Sequence, residues 1–382
     1  MTDVVIVGAG IVGAACAYYA TEAGLSVTVL DRGPVGGGTT SRGEGNILVS
    51  DKGPGPELEL AMWSRNLWLE IGADVGADRI ELEEKGGLVV AATPAGHQLL
   101  QEFGRRQHGV GVRAVPVPAD ELHEHEPHLA DDLPGGIHYP QDMQVQPVLA
   151  AATLMATARR RGAIVHLDAR VTGVEHDAAG RVSAVVSDTG RFPTGAVVNA
   201  AGTWGEHVSA ILGGPVPVLP RRGFVLVTEP LPRVVRHKVY SADYVSNVAS
   251  SDAGLETSAV IEGTRGGTVL IGASRERVGF DQGMSVEVVR RLAAQAVGLF
   301  PALADVALIR TYLGFRPYCP DHLPVIGADD RVPGLFHACG HEGAGIGLAA
   351  ATGRLITQML TDIEPGLDPA PFRPGRFDEV PA

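Results

Sequence analysis

Val4-Val5-Ile6-Val7-Gly8-Ala9-Gly10-Ile11-Val12-Gly13 opens this chain of 382 residues and decides its fold class. The β-branched run at 4–7 reads as a buried strand, and the glycines turn it into an apolar helix reaching about Ala23. Gly24 stands where a left-handed residue stops a helix. Val27, Val29 and Leu30 then give a second buried strand ending at Asp31, which completes a βαβ unit. The glycines have separate tasks. Gly8 permits the sharp turn, Gly10 lets the backbone approach a pyrophosphate, and Gly13 lets the helix pack closely on the strand. The helix start points unpaired N–H groups and the positive end of its dipole at the phosphates. Asp31, 18 residues after Gly13, is placed to accept hydrogen bonds from a ribose 2′-OH. A bare GxGxxG is often a plain turn in a glycine-rich chain. Here strand, helix, second strand and terminal acid stand in register, so a bound dinucleotide is expected.

The same stretch poses a second question, because residues 4–21 form an uncharged run of 18, long enough to span a bilayer. Gly8, Gly10 and Gly13 interrupt it, each costing about 1 kcal/mol inside a helix. The preceding Met1-Thr2-Asp3 is acidic where a signal peptide is basic, and no A-x-A site closes the run. Strand, turn and helix are the better reading, with no membrane segment. Hydrophobic residues make up 45% and charged residues 20%, which excludes a disordered class. The 50 glycines and 26 prolines follow no three-residue period, which excludes collagen. A balance of 31 basic against 44 acidic residues, net −13, argues against nucleic acid or an anionic membrane as the main partner. A small-molecule partner is expected. Cys16, Cys319 and Cys339 are scattered without a CxxC, so neither a disulfide framework nor a zinc site is expected, and a reducing cytoplasm is the default.

Further along, strands are expected over 87–92, 197–199, 224–228, 260–262, 269–273 and 335–338, and helices over 94–108, 147–161 and 345–360. Residues 171–176 and 182–187 flank Asp177-Ala178-Ala179-Gly180, a hairpin signal. His123, Glu124, His125, Glu126 and His128 have metal-ligand side chains, but they crowd into a Pro-terminated segment that reads as a solvated face; no metal is expected.

Six motifs in one order resemble the D-amino acid oxidase superfamily of flavoproteins, which includes glycine oxidase, sarcosine oxidase and D-amino acid dehydrogenase. They are the opening stretch through Asp31 and Arg32; the loop Gly38-Thr39-Thr40-Ser41-Arg42-Gly43-Glu44-Gly45-Asn46-Ile47; Arg170-Val171-Thr172-Gly173-Val174; Val198-Asn199-Ala200-Ala201-Gly202-Thr203-Trp204; Gly314-Phe315-Arg316-Pro317-Tyr318 with 320–327; and Cys339-Gly340-His341-Glu342-Gly343-Ala344-Gly345-Ile346-Gly347-Leu348. The resemblance covers nearly the whole chain. It implies an α/β fold with a discontinuous Rossmann-like FAD-binding domain, residues 1–50, 145–215 and 315–382. An α+β substrate domain with a mainly antiparallel sheet would take 51–144 and 216–314. The implied FAD contacts are Gly8, Gly10, Ile11, Val12, Gly13, Asp31 and Arg32; then Thr39, Thr40, Ser41, Gly45 and Asn46; then Val171, Ala200, Gly202 and Trp204. The last motif adds Gly340, Gly343, Ala344, Gly345, Ile346 and Gly347, with the final helix aiming its dipole at the flavin N1–C2=O edge. Cys319 is offset from the flavin-linked cysteine of sarcosine oxidases and is followed by Pro320, so the FAD is expected to be noncovalent.

The implied reaction moves a hydride from the α C–H of an amino acid or secondary amine to flavin N5, giving an imine that hydrolyses to an oxo acid and amine. Arg316 matches the family arginine that clamps a substrate carboxylate, against the plain alternative of an interdomain salt bridge. Tyr240, Tyr244 and Tyr318 are the implied aromatic substrate contacts, against ordinary half-buried packing. His341, beside Glu342, is a further candidate for touching flavin or substrate, although a satisfied surface pair is the simpler expectation. Lys52, Lys85 and Lys238 are the three lysines, few candidates for the oxygen-activating lysine of sarcosine oxidases. The acceptor is oxygen or a partner electron-transfer subunit, because 340–348 is similar to catalytic subunits of D-hydroxyproline dehydrogenase, opine oxidase and hydrogen cyanide synthase complexes. A homo- or hetero-oligomer would follow. Two other classes compete: a flavoprotein kept as a non-catalytic binding subunit, and an NAD-dependent dehydrogenase, which leaves the Arg316 and Gly343 motifs without a purpose.

Overall fold

The computed structural model describes residues 1–248 and 250–378. Val4–Val7 is a strand with all four residues buried, and Ile11–Glu22 is the helix that follows. Gly24 has φ of 84° and ends it. A six-stranded sheet grows around this unit in the order Val325–Ala328, Leu335–Cys339, Val197–Asn199, Val4–Val7, Val27–Leu30, Ile164–His166. Its last five strands are parallel, and Val325–Ala328 closes one edge antiparallel.

Period-two alternation sorts the first strand's residues between two layers. Val4 and Ile6 pack toward the helices Ile11–Glu22, Pro147–Arg160 and Gly345–Leu360, whereas Val5 and Val7 pack toward the antiparallel strands Val171–His176, Val182–Ser187 and Gly190–Pro193. Because both faces are covered, the central strand Val4–Val7 is apolar throughout rather than alternating.

The second sheet has eight strands in the order Leu308–Tyr318, Leu219–Thr228, Val269–Arg275, Glu256–Gly263, Lys238–Ser241, Gly87–Val90, Gly135–Tyr139, Val115–Pro118. Every neighbouring pair is antiparallel except Lys238–Ser241 with Gly87–Val90. One face is covered by the helix Val286–Leu299, whose Val288, Leu292, Ala296 and Leu299 are buried against Phe224, Leu226, Ile261 and Ile271. The other face looks toward the first sheet.

Three differences separate the structure from the sequence expectation: two helices, one longer strand and one buried segment. Pro56–Val75 and Val286–Leu299 are helices where no element was expected. The first matters for the site: Ser64 Oγ donates to Gly347 O (2.5 Å) and Trp68 Nε1 to Gly347 O (3.1 Å), fixing the start of the last helix. Leu308–Tyr318 is one continuous strand, running through residue 315 and paired with Leu219–Thr228 as far as Tyr318. The third difference corrects the solvated-face reading of 123–128. Leu122 and Glu126 are buried there, because Glu126 accepts main-chain hydrogen bonds from Arg236 and His237.

Candidate active site

A cavity of about 590 Å³ lies between the two sheets. Its first end is built from bare backbone. Gly8 has φ of 116°, and a Cβ there would lie 2.4 Å from Ala200 O; at Gly13 it would lie 1.9 Å from Gly8 O. No side chain caps the helix Ile11–Glu22, although Ile11 N–H donates to Thr40 Oγ1 (3.0 Å). Gly8, Gly10, Ile11, Val12, Asp31 and Arg32 line this end, while Gly13 packs behind them. The Asp31 carboxylate accepts from Ala9 N–H (2.6 Å) and Gly33 N–H (2.8 Å), which holds it at the strand end. Val171, Ala200, Gly202 and Trp204 line the same wall. Trp204 lies between the Arg32 guanidinium, 4.1 Å from its ring centroid, and the stacked ring of Phe280 at 5.6 Å. An uncapped helix start over a turn that admits no Cβ, opening on a cavity of this length, fits the pyrophosphate of FAD.

The middle of the cavity is lined by Thr39, Thr40, Asn46, Gly343, Gly345 and Ile346. Other residues of the same motifs do not reach it. Ser41 Oγ donates to Gly38 O (3.2 Å), Gly45 packs on Val145 O, and Gly340 packs among Cys319, Val218 and Val325. Ala344 and Gly347 face a smaller pocket beside Tyr244. Cys319 is buried and off the cavity wall.

The far end is built from charge. Leu308–Tyr318 delivers Arg316, and the hydroxyls of Thr39 (2.8 Å) and Thr203 (2.6 Å) hold the carbonyl of Phe315 just before it. Gly223, on the paired strand, makes room: a Cβ there would lie 2.1 Å from Arg316 Nη1. Nη1 donates to Ser274 O (2.7 Å). Among the described residues no carboxylate pairs with this guanidinium, so the salt-bridge alternative is not realised. Burial, and then the like charge of Arg275, lower its pKa. Arg275 is 4% exposed, with its guanidinium 5.1 Å from the Tyr244 ring centroid, and has no hydrogen bond or ion pair among the described residues.

Of the three tyrosines, only Tyr244 lines the cavity. Tyr240 packs against it edge-on at 5.1 Å, fully buried, with its hydroxyl on Ser50 Oγ. Tyr318 is buried against the guanidinium of Arg221. His341 and Glu342 both line the cavity and are not a surface pair. His341 is 3% exposed, and burial takes its pKa down to about 3, so it is neutral. Thr352 Oγ1 donates to Leu348 O, which leaves it to accept from His341 Nε2–H (2.9 Å). Glu342 pairs with Arg221 (2.6 Å).

Sequence reasoning missed Glu44. It borders the cavity at 9% exposure, and Lys238 Nζ lies 3.4 Å from its Oε2 and 2.6 Å from Glu262 Oε2. One buried lysine therefore serves two carboxylates. Glu44 Oε1, over Gly272, has no hydrogen-bond partner among the described residues, and burial raises the pKa of the group. A charged residue between two glycines of the flavin loop was the available signal; its partners lie 194 and 218 positions away. None of the three lysines is on the main cavity wall.

The comparisons agree with this geometry. A family profile described as FAD dependent oxidoreductase (DAO) matches residues 3–359. The chain is similar to the hydrogen cyanide synthase subunit HcnC of Pseudomonas aeruginosa, 29% identical over 421 residues that cover 100% of this chain and 97% of that one. It is also similar to glycine oxidase of Geobacillus kaustophilus, 30% identical over 378 residues, 97% and 96% of the two chains. The solved structure of glycine oxidase from Geobacillus kaustophilus superposes with a TM-score of 0.88 at 28% identity, covering 97% of this chain and 98% of that chain. Among the described residues no helix is long and apolar enough to cross a membrane. With a family match over nearly its whole length and a glycine turn shaped for the cofactor, the chain belongs to the FAD dependent oxidoreductase (DAO) family.

Proposed function

We propose that this flavoenzyme oxidises the Cα–N bond of an α-amino acid or N-substituted amino acid. The observation that carries the reading is Arg316, a guanidinium on the cavity wall opposite the dinucleotide turn, with no carboxylate partner among the described residues. A planar fork of donors left open in this way suits the two oxygens of a substrate carboxylate. Glu44 supplies the opposite charge on the same wall. Together the two groups complement an amino acid zwitterion.

FAD, when bound, would supply the hydride acceptor for Cα–H, and the protein's residues prepare the substrate for that chemistry. Arg316 orients it through the carboxylate. Glu44, whose carboxyl holds a proton more readily than usual, accepts one from the substrate ammonium, so that the nitrogen lone pair is free to form C=N as the hydride leaves. His341, kept neutral by burial, adds no competing positive charge beside the reacting nitrogen. Water then adds to the imine carbon, and the C–N bond breaks to give an oxo acid and an amine. Asp31, Arg32, Val171 and Trp204 hold the nucleotide end in this reading, and Gly343, Gly345 and Ile346 the flavin end. Relatives named an oxidase and a synthase subunit support oxygen and a partner protein, respectively, as electron acceptor.

Arg275 favours a narrower second reading. A buried guanidinium behind Tyr244, without an ion pair among the described residues, suits a substrate with a second carboxylate, carried on the nitrogen substituent or the side chain. The test of both is anaerobic flavin bleaching by a panel of D- and L-amino acids, N-methyl amino acids, proline derivatives and iminodiacids. Reduction that needs the α-carboxylate supports the proposal, and a preference for iminodiacids supports the narrower form. Equal reduction by amines lacking any carboxylate removes Arg316 from the site. Peroxide release by the isolated chain in air separates oxygen from a protein acceptor.

A further inference from the structure

Three histidines far apart in the chain meet on the outer half of the eight-stranded sheet, away from the cavity. His125 ends the short helix Leu122–His125, His138 lies in the strand Gly135–Tyr139, and His237 directly precedes the strand Lys238–Ser241. Their ring centroids are 4.8 Å (His125 to His138), 5.2 Å (His138 to His237) and 5.8 Å (His125 to His237) apart. One ring nitrogen from each lies within 4.8 Å of the other two, and all three side chains are half-buried.

The hydrogen bonding around them is one-sided. His237 Nδ1 lies 2.9 Å from Glu126 Oε1, and Glu126 is completely buried. The same carboxylate accepts from the main-chain N–H groups of Arg236 (2.9 Å) and His237 (2.5 Å), so it cannot turn away. An ionised carboxylate only accepts, which places the proton on Nδ1 and leaves the Nε2 lone pair of His237 unused. A carboxylate orienting an imidazole from behind is the arrangement that fixes metal-binding histidines. The rings of His125 and His138 have no hydrogen-bond partner among the described residues. Gly86 makes room for one of them: a Cβ there would come within 2.9 Å of His138 Nε2. The cluster therefore brings together three imidazoles, one ligand nitrogen of each lying within 4.8 Å of the other two. Without a shared partner, half-buried polar rings gain nothing by converging.

We propose that His125, His138 and His237 bind one divalent transition-metal ion of the zinc, nickel or copper class, with a remaining position open to water. Three imidazole nitrogens and no thiolate select these borderline ions over magnesium or calcium. Tetrahedral zinc with bonds near 2.0–2.1 Å places its nitrogens roughly 3.4 Å apart, so the rings draw together by about 1 Å on binding. The ion ties a short surface helix and an outer strand to the segment leading into Lys238, and Lys238 is the cation that balances Glu44. It is structural, since none of the three histidines touches the cavity. This site replaces the sequence expectation of no metal, which rested on treating 123–128 as a solvated face.

The test uses the flavin-loaded protein after chelator treatment, titrated with zinc by calorimetry and followed by thermal unfolding. The proposal expects one ion per chain and a Tm that rises with free zinc, as for any ligand of the native state. Cobalt added instead should give the visible bands of a tetrahedral nitrogen site. His125→Gln and His138→Ala should each abolish both responses while flavin absorbance and turnover are retained. His125 lies on the surface helix, so its replacement keeps the test open if His138→Ala fails to fold. No saturable binding, or binding of equal strength in His125→Gln, overturns the proposal.

Discussion

At the six-stranded sheet the cavity wall is main chain: a glycine turn, an uncapped helix start and a hydroxyl on Ile11 N–H. At the eight-stranded sheet it is side-chain charge: Arg316, Glu342 and Glu44, each held by strands or loops that meet only in the folded chain. The first wall suits a ligand part common to a large family, since a pyrophosphate needs N–H donors and close approach and little else. The second suits a variable ligand, because a few substitutions there change which charges are left unpaired. The two walls also differ in what a side chain would disturb. A Cβ at Gly13 meets the carbonyl of the glycine turn itself, whereas a Cβ at Gly223 meets the Arg316 guanidinium and the Ser274 carbonyl that accepts its hydrogen bond.

That contrast can be broken most severely at Gly13. Gly13→Val is expected to yield protein without flavin, read as loss of visible absorbance and a collapse of thermal stability. Gly223→Ala at the other wall, which crowds Arg316 and the Ser274 carbonyl, should keep its flavin, raise KM for a carboxylate substrate and lower Tm. Next in size is Arg316→Ala. Losing charge-assisted hydrogen bonds of about 1.5–3 kcal/mol should raise KM for a carboxylate substrate roughly tenfold to a hundredfold or more, with the flavin spectrum intact. Unchanged kinetics would take Arg316 out of the site.

Glu44→Gln comes third, with an expected fall in kcat/KM of roughly a hundredfold. Its pH profile carries a sign. Only ionised Glu44 can accept the substrate's proton, and burial raises its pKa, so wild-type kcat/KM should fall with decreasing pH through a limb above the ordinary carboxylate range. That limb should be missing in the variant, and its persistence would assign it to another group. The smallest effect is expected for Tyr240→Phe, which loses a buried hydrogen bond to Ser50 worth about 1 kcal/mol of stability and leaves turnover unchanged. A changed KM there would place Tyr240 nearer the substrate than its packing indicates.

Much of the first wall, and part of the second sheet's surroundings, was legible in the sequence. The helix over 94–108 and the helix over 345–360 have the expected bounds, and Gly24 ends its helix in the left-handed conformation. The helix Pro56–Val75 was missed although its signal was present: Leu58, Ala61, Trp68, Ile71 and Val75 recur at helical spacing behind a proline at the first position. Attention to motifs passed over it because it carries none. The three tyrosines show a different limit. Spacing and composition treat Tyr240, Tyr244 and Tyr318 alike, and only packing puts one on the cavity and two behind it.

The sequence by itself determined the βαβ opening, the dinucleotide site and the family. These rest on interactions among neighbours in the chain, where glycine, apolar period and terminal acid act within 31 residues. Tertiary structure alone decided the Glu44, Lys238 and Glu262 cluster, the unpaired Arg275, the burial of His341 and the meeting of His125, His138 and His237. Charge pairing, desolvation and metal ligation depend on distance in space, and segments hundreds of residues apart acquire that distance only when the two sheets close on each other.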